Sequence, residues 1–235
     1  MLNGRPTLQA WKKFAAFEVF GDYSPMSGFR LVVQVGARTE ALDAAIEQRA
    51  RNNDPLDPEL ARWVMRAGLG LARSGLISFA YATSEEAVCV IRPEAVKGAG
   101  APISIQSQLL TLFTARLSLL VGRELPAVAK IYEFPDVAVI RKAMVRLVED
   151  VEEATPLRSS LWLGAQLRGR GQAFHPSMLE TLEEQTSLLQ SNGIDMDALP
   201  PWWWRGVAAH VRRDGTIEVF DDLPGGEAFG DLIPD

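Results

Sequence analysis

Cysteine is nearly absent from this 235-residue sequence, with Cys89 standing alone. No internal disulfide forms, and cysteine usage fits a reducing compartment. The two histidines, His175 and His210, lie far apart with no cysteine pair beside them, so the ligand set of a structural zinc site is missing. No apolar run approaches the roughly 18 residues that a membrane span requires. The first residues, MLNGRPTLQAWKKF, lack the cationic-then-apolar build of a secretory leader. A cytoplasmic chain with no membrane partner is the expectation. Gly98 and Gly100 lack the lysine and hydroxyl pattern of a phosphate-cradling loop. Lysine is scarce, and most of the 24 basic residues are arginines. Acids outnumber bases, giving a net charge of −6. That balance argues against strong unaided nucleic-acid binding while leaving room for a local arginine patch.

What the sequence has is organised around residues 76–92, LISFAYATSEEAVCVIR. Two arms rich in β-branched and aromatic residues flank the short polar break Ser84-Glu85-Glu86, which predicts a β-hairpin. Upstream, Leu8, Trp11, Phe14, Phe17 and Phe20 recur at steps of three and predict a helix over residues 7–20, with Thr7 as its N-cap. Residues 29–35 read as a strand apolar enough to lie inside a sheet. Residues 41–51 read as a helix. Asp57-Pro58-Glu59 opens another that reaches about Arg73 and is stopped by Gly75. After the hairpin come a loop over residues 93–102, an apolar helix over 103–121, a strand over 127–134, and helices over 137–153, 157–167 and 176–191. Residues 207–212 and 216–220 read as a second hairpin turning at Asp214-Gly215. The acidic, Gly- and Pro-rich stretch 223–235 reads as a poorly ordered tail.

This order is a βαββαβ unit, so the expected fold class is α+β: a ferredoxin-like antiparallel palm with helices on one face. The expected organisation is a palm-like unit over residues 1–135, a helical part with a terminal hairpin over 136–222 packed on it as one domain, and the tail.

Four local patterns carry a family resemblance. Gln34-Val35-Gly36-Ala37-Arg38 closes the first strand, and Tyr81-Ala82-Thr83-Ser84-Glu85-Glu86 turns the hairpin. Ser107, Thr114, Ser118, Leu119, Leu120 and Gly122 mark the next helix. Gly193-Ile194 precedes Leu199-Pro200-Pro201-Trp202-Trp203-Trp204-Arg205-Gly206. Over residues 17–211 the chain thereby resembles the tRNA-His guanylyltransferase family, which adds nucleotides in the 3′-to-5′ direction. In that family the first two patterns read Arg-hydrophobic-Asp-Gly-Arg and Tyr-x-x-Ser-Asp-Glu, and the last is Gly-Ile before a Leu-Pro segment closing in Arg-Gly. The resemblance implies Mg2+, GTP or ATP, tRNA or another RNA as partner, and a homo-oligomer.

Phosphoryl transfer on such a palm requires carboxylates from neighbouring strands to hold magnesium. The family's first-strand Asp falls on Gly36, and its hairpin Asp on Glu85. The family's Arg-Asn pair falls at Arg158-Ser159, its Lys-Asn-Glu at Gln185-Thr186-Ser187, and its Asp-x-Arg at Val128-Ala129-Lys130. The candidate catalytic residues are therefore Glu85 and Glu86, with Glu85 as metal ligand and Arg38, Ser84 and Lys130 as nucleotide-binding groups. The leading expectation is a catalytically degenerate member acting as a binding or assembly module. The alternative is an active nucleotidyltransferase whose metal site is rebuilt from Glu85, Glu86 and Glu40. Plainer readings stand beside these: Glu85 and Glu86 as solvated turn acids, the tryptophan triplet as core closure rather than a base-stacking platform, and Cys89 as a small buried apolar residue.

Overall fold

The alternation of Leu31, Val33 and Val35 on one side with Val32 and Gln34 on the other makes β1 (Arg30–Ala37) a strand buried on both faces. It lies inside an antiparallel sheet between β4 (Ala127–Phe134) and β3 (Glu86–Ile91). This is a computed structural model, and it describes residues 15–19, 25–50, 56–99 and 101–234. The sheet has six strands in the order β4-β1-β3-β2-β5-β6, with β2 at Ile77–Ala82, β5 at Val207–Val211 and β6 at Ile217–Phe220. The first four strands form the ferredoxin-like palm, and the terminal hairpin continues the same sheet beyond β2.

One face carries α1 (Thr39–Arg49), α2 (Pro58–Leu69) and α4 (Pro102–Val121), whose buried residues join Val33, Val35, Ala80 and Cys89 in the larger core. The palm's own helices thus lie on one face, as expected, and the C-terminal helical part supplies the cover of the other. The second face packs Val32, Phe79, Tyr81, Val88 and Tyr132 against Ile140, Met144, Leu147 and Val151 of α5 (Val137–Glu153). Those four residues recur at helical spacing, so the pattern that made α5 readable is also what buries that face.

Several boundaries differ from expectation for local reasons. The loop expected over 93–102 contains α3 (Pro93–Ala99), since proline followed by Glu94 is a helix-start signal that outweighs the glycines. The helix expected over 176–191 is a 3-10 turn, Pro176–Met178, followed by α7 (Leu182–Ser191). Thr181 supplies the break, because its hydroxyl and the Glu184 carboxylate form a capping box at the start of α7. The terminal hairpin turns through three residues rather than two, with the Arg212 N–H on the Thr216 carbonyl at 2.8 Å and Gly215 at φ +86°. The helix expected over 7–20 lies mostly outside the described residues. Within them, Ala15, Ala16 and Phe17 form a 3-10 turn, and Glu18 bridges to Tyr132 on the edge strand.

The acidic tail expected to be loose is packed. Leu223, Phe229 and Ile233 are buried, with α9 (Glu227–Gly230) laid against α5. Phe229 meets the rings of Tyr81 and Phe79 edge-on at 5.8 and 6.0 Å. Arg141 clamps the segment by donating Nε and Nη2 to the Ile233 carbonyl at 3.0 and 2.7 Å. Composition suggested disorder, but three apolar side chains spaced to reach one face of α5 decided otherwise. Replacing Phe229 by alanine is expected to lower unfolding stability by about 3–5 kcal/mol. Urea denaturation checks this, and a loss below about 1 kcal/mol contradicts the packing.

Candidate functional site

The β2–β3 turn is built by Thr83. Its hydroxyl accepts the N–H groups of Glu85 and Glu86, both at 3.3 Å, while its own N–H donates to the Glu86 carbonyl at 2.8 Å. A side-chain oxygen thus replaces the backbone bond that usually closes a two-residue loop, and neither Ser84 nor Glu85 takes a positive φ. The Glu85 carbonyl accepts the Ala37 N–H at 3.3 Å, which ties the turn to the end of β1.

The two acids are not solvated. Glu85 is 3% and Glu86 1% exposed, so the reading as ordinary turn carboxylates is overturned. Glu86 faces Gly36 across the β1–β3 ladder. A Cβ at position 36 would stand 2.9 Å from the Glu86 Cβ and 3.1 Å from the Glu85 carbonyl oxygen. The glycine is therefore the condition under which Glu86 lies flat on the sheet. Gln34 Nε2 donates to Glu86 Oε2 at 2.6 Å, and the Tyr132 hydroxyl donates to Gln34 Oε1 at 2.9 Å. This chain of side chains crosses β4, β1 and β3. Glu86 Oε1 has no hydrogen-bond partner among the described residues. Burial pushes the Glu86 carboxyl up to about 8, opposed by the Gln34 hydrogen bond, reinforced by the neighbouring Glu85 charge and eased by Arg158. Oε1 is then the oxygen left to carry the proton.

The other sequence candidates are only partly gathered here. Ser84 is buried in the turn, and its hydroxyl lacks a partner among the described residues. Arg38 follows the residue that binds the turn, is exposed, and donates its backbone N–H to the Pro126 carbonyl at 2.9 Å. Glu40 is exposed in the first turn of α1. Lys130 pairs with Gln34 in the β1–β4 ladder, but its ammonium is engaged with Glu18 at 2.9 Å. Among the described residues, no three His, Cys, Asp or Glu side chains are grouped so as to hold a metal ion.

Residues that the sequence reading treated as phosphate positions have turned inward. Arg158, on α6 (Thr155–Gly169), is 1% exposed and donates Nη2 to the Trp203 carbonyl and to the Thr155 hydroxyl. The Trp203 indole donates to the Ser159 hydroxyl at 2.9 Å, and its ring meets Trp162 edge-on at 5.7 Å. The middle tryptophan of the triplet is therefore core closure. Gln185 is buried, with its amide on the Leu179 carbonyl at 3.1 Å. Gly206 holds φ +77°, and a Cβ there would come within 2.5 Å of the Ala82 carbonyl oxygen. That glycine lets α8 (Pro201–Arg205) run directly into β5 alongside β2. Gln34 and Tyr132 were missed because, although motif segments fall on both of their strands, these two side chains are themselves uncharged. Their alternation onto the face that carries Glu86 was the available signal.

Strand order, the acidic hairpin turn at the sheet's end and the flanking helices define a palm-like α+β fold. Solved structures share it across almost the whole chain. A bacterial tRNA(His) guanylyltransferase-like protein in complex with ATP superposes with a TM-score of 0.64 at 12% identity, covering 96% of this chain and 97% of its own. A bacterial guanylyltransferase-like protein in complex with GTP gives a TM-score of 0.56 at 10% identity, with 92% and 90% covered. The tRNA(His) guanylyltransferase of Saccharomyces cerevisiae gives 0.56 at 14% identity, with 83% and 90% covered. No protein-family model matches the sequence, and no curated protein matches it significantly. At these identities the likeness is one of fold.

The buried carboxyl makes a prediction about pH. Glu86 has an ordinary value of 4.5 and titrates at about 8 when folded. Between the two values the folded chain holds the extra proton. Stability from this group is intact below the lower value, falls as pH rises through the window, and is lost above the upper one. Glu86→Gln is expected to match the parent near the acid end and to exceed it by a few kcal/mol above the upper value. Urea denaturation of both proteins at the two extremes checks this, and parallel stability–pH curves contradict it.

Proposed function

We propose that this chain is a catalytically degenerate, guanylyltransferase-like palm protein that works as a binding or assembly module. The single observation that carries the reading is the pairing of Gly36 with a buried Glu86. The position where a first-strand carboxylate belongs has no side chain, and the neighbouring strand has filled the space that such a side chain needs. Magnesium demands several hard oxygen ligands in near-octahedral order. A Glu86 carboxyl tied to Gln34, a buried Glu85 and an exposed Glu40 on another element are not grouped to meet that requirement among the described residues.

The triphosphate side of the site supports the same reading. The arginine and glutamine at the family's phosphate-binding positions hold backbone carbonyls of their own chain. What remains is a rigid scaffold whose neighbours were solved with ATP and GTP. Nucleotide, tRNA or another RNA, and a second copy of the chain are the ligand classes that this reading inherits from the fold. The assembly part draws on α4, where Leu119 is 83% exposed on a strongly apolar helix whose other face, Ile105, Leu109, Phe113 and Leu117, is in the core.

Incubation with labelled GTP, magnesium and tRNA is expected to give no incorporation above a protein-free control. Turnover that Glu85→Ala abolishes overturns the reading in favour of a rebuilt active site.

A further inference from the structure

A second candidate site lies at the other end of the sheet and does not depend on how the β2–β3 turn is read. Where Ile77 faces Ile91 and Val211 faces Ile217, the strands open onto a cleft of about 770 Å3. Arg92, Arg212 and Arg213 line it, with Glu94 as the one acid among the described residues and His210 on its wall. In a chain of net charge −6, this is a local reversal of sign.

Arg92 is the fixed member of the group. Its Nε donates to the Ile77 carbonyl at 2.9 Å, and its Nη2 donates to the Val211 and Arg212 carbonyls at 3.2 and 2.9 Å. A guanidinium carries five N–H donors, so the two on Nη1 are left, and they have no partner among the described residues. The side chain is immobilised by the fold, and a ligand that binds it spends little conformational entropy on ordering it. Arg213, on the exposed β5–β6 turn, has no acid partner among the described residues, while Arg212 is shared with Glu218 at 2.8 Å. Among the described residues no Phe, Tyr or Trp lines the cleft, so charge and N–H donors lead recognition here.

We infer that this cleft binds a phosphate-bearing anion, gripped between the pre-ordered Arg92 Nη1 and the exposed guanidinium of Arg213. Charge-assisted, forked donors suit a tetrahedral oxyanion, and the volume falls in the range of small-ligand sites. The phosphate has two possible sources, a free di- or triphosphate and the backbone of an RNA strand. Both use the same donors.

The test is titration calorimetry of the full chain with inorganic pyrophosphate and, separately, with a short mixed-sequence single-stranded RNA at matched ionic strength. Binding of at least one is expected, weakened about tenfold by Arg213→Glu, which is the scale of one lost charge-assisted contact. Binding of the RNA alone assigns the phosphate to a backbone, and binding of pyrophosphate assigns it to a small anion; either supports the site. Binding of neither, or binding that Arg213→Glu leaves unchanged, overturns it. Arg213→Ala repeats the measurement should the charge reversal perturb folding, which circular dichroism reports. Arg92 is avoided as a test position because it holds three strand-end carbonyls.

Discussion

Two adjacent carboxyl groups lie beneath a hairpin turn with almost no access to water, and much of the architecture at that end answers this one constraint. A buried carboxylate without compensation is far costlier than a neutral one. The fold meets the cost for Glu86 in three ways. Gln34 donates to one oxygen, and Tyr132 fixes Gln34 in the orientation that allows it. Arg158 contributes a positive field from the far side. The carboxyl then keeps a proton on its remaining oxygen through neutral pH. Gly36 completes the arrangement by leaving the facing position empty, so the constraint is steric as well as electrostatic.

The same end of the sheet depends on the C-terminal half of the chain. Thr155, Arg158 and Ser159 on α6 bond to Trp203, Trp204 and one another across a gap of more than forty residues in sequence. Arg205 forms a paired bond to Glu152, both contacts at 3.0 Å, and reaches the Leu223 carbonyl. These contacts hold α8 against α5 and α6. Gly206 then turns the chain into β5 against β2. Arg158 links these contacts to the acids, since the guanidinium that holds the Trp203 carbonyl also eases the charge of Glu86.

Periodicity reached the scaffold but not the site. The bounds of β4 and α5 were readable because β-branched runs, a cap at Asp136 and a helical apolar stripe all agree locally. The fate of Glu85 and Glu86 was not readable. Acids in a short turn are ordinarily solvated, and the groups that meet Glu86 come from β1, β4 and α6, distant in sequence and, apart from Arg158, uncharged. The tail misled for the opposite reason. Its composition is that of a loose terminus, yet Leu223, Phe229 and Ile233 meet a waiting apolar face on α5. Residues from both the palm and the C-terminal part contribute to the two buried layers on either face of the sheet.

The scarcity of lysine also gains a physical account. Arginines here repeatedly donate to backbone carbonyls at strand ends, helix ends and loops. Arg92 serves Ile77, Val211 and Arg212; Arg141 serves Ile233; Arg158 serves Trp203; Arg170 serves Ala50; and Arg205 serves Leu223. A planar fork with several fixed donors can hold carbonyls on different segments at once, whereas an ammonium offers a hydrated point charge. Buried carbonyls at strand ends and loop crossings are costly unless paired. Guanidinium groups at those crossings let the sheet accept a helical layer, a terminal hairpin and a packed tail. A cation recruited for this work need not face a ligand, so Arg158, although it falls where the family places a phosphate-binding arginine, acts here as part of the frame.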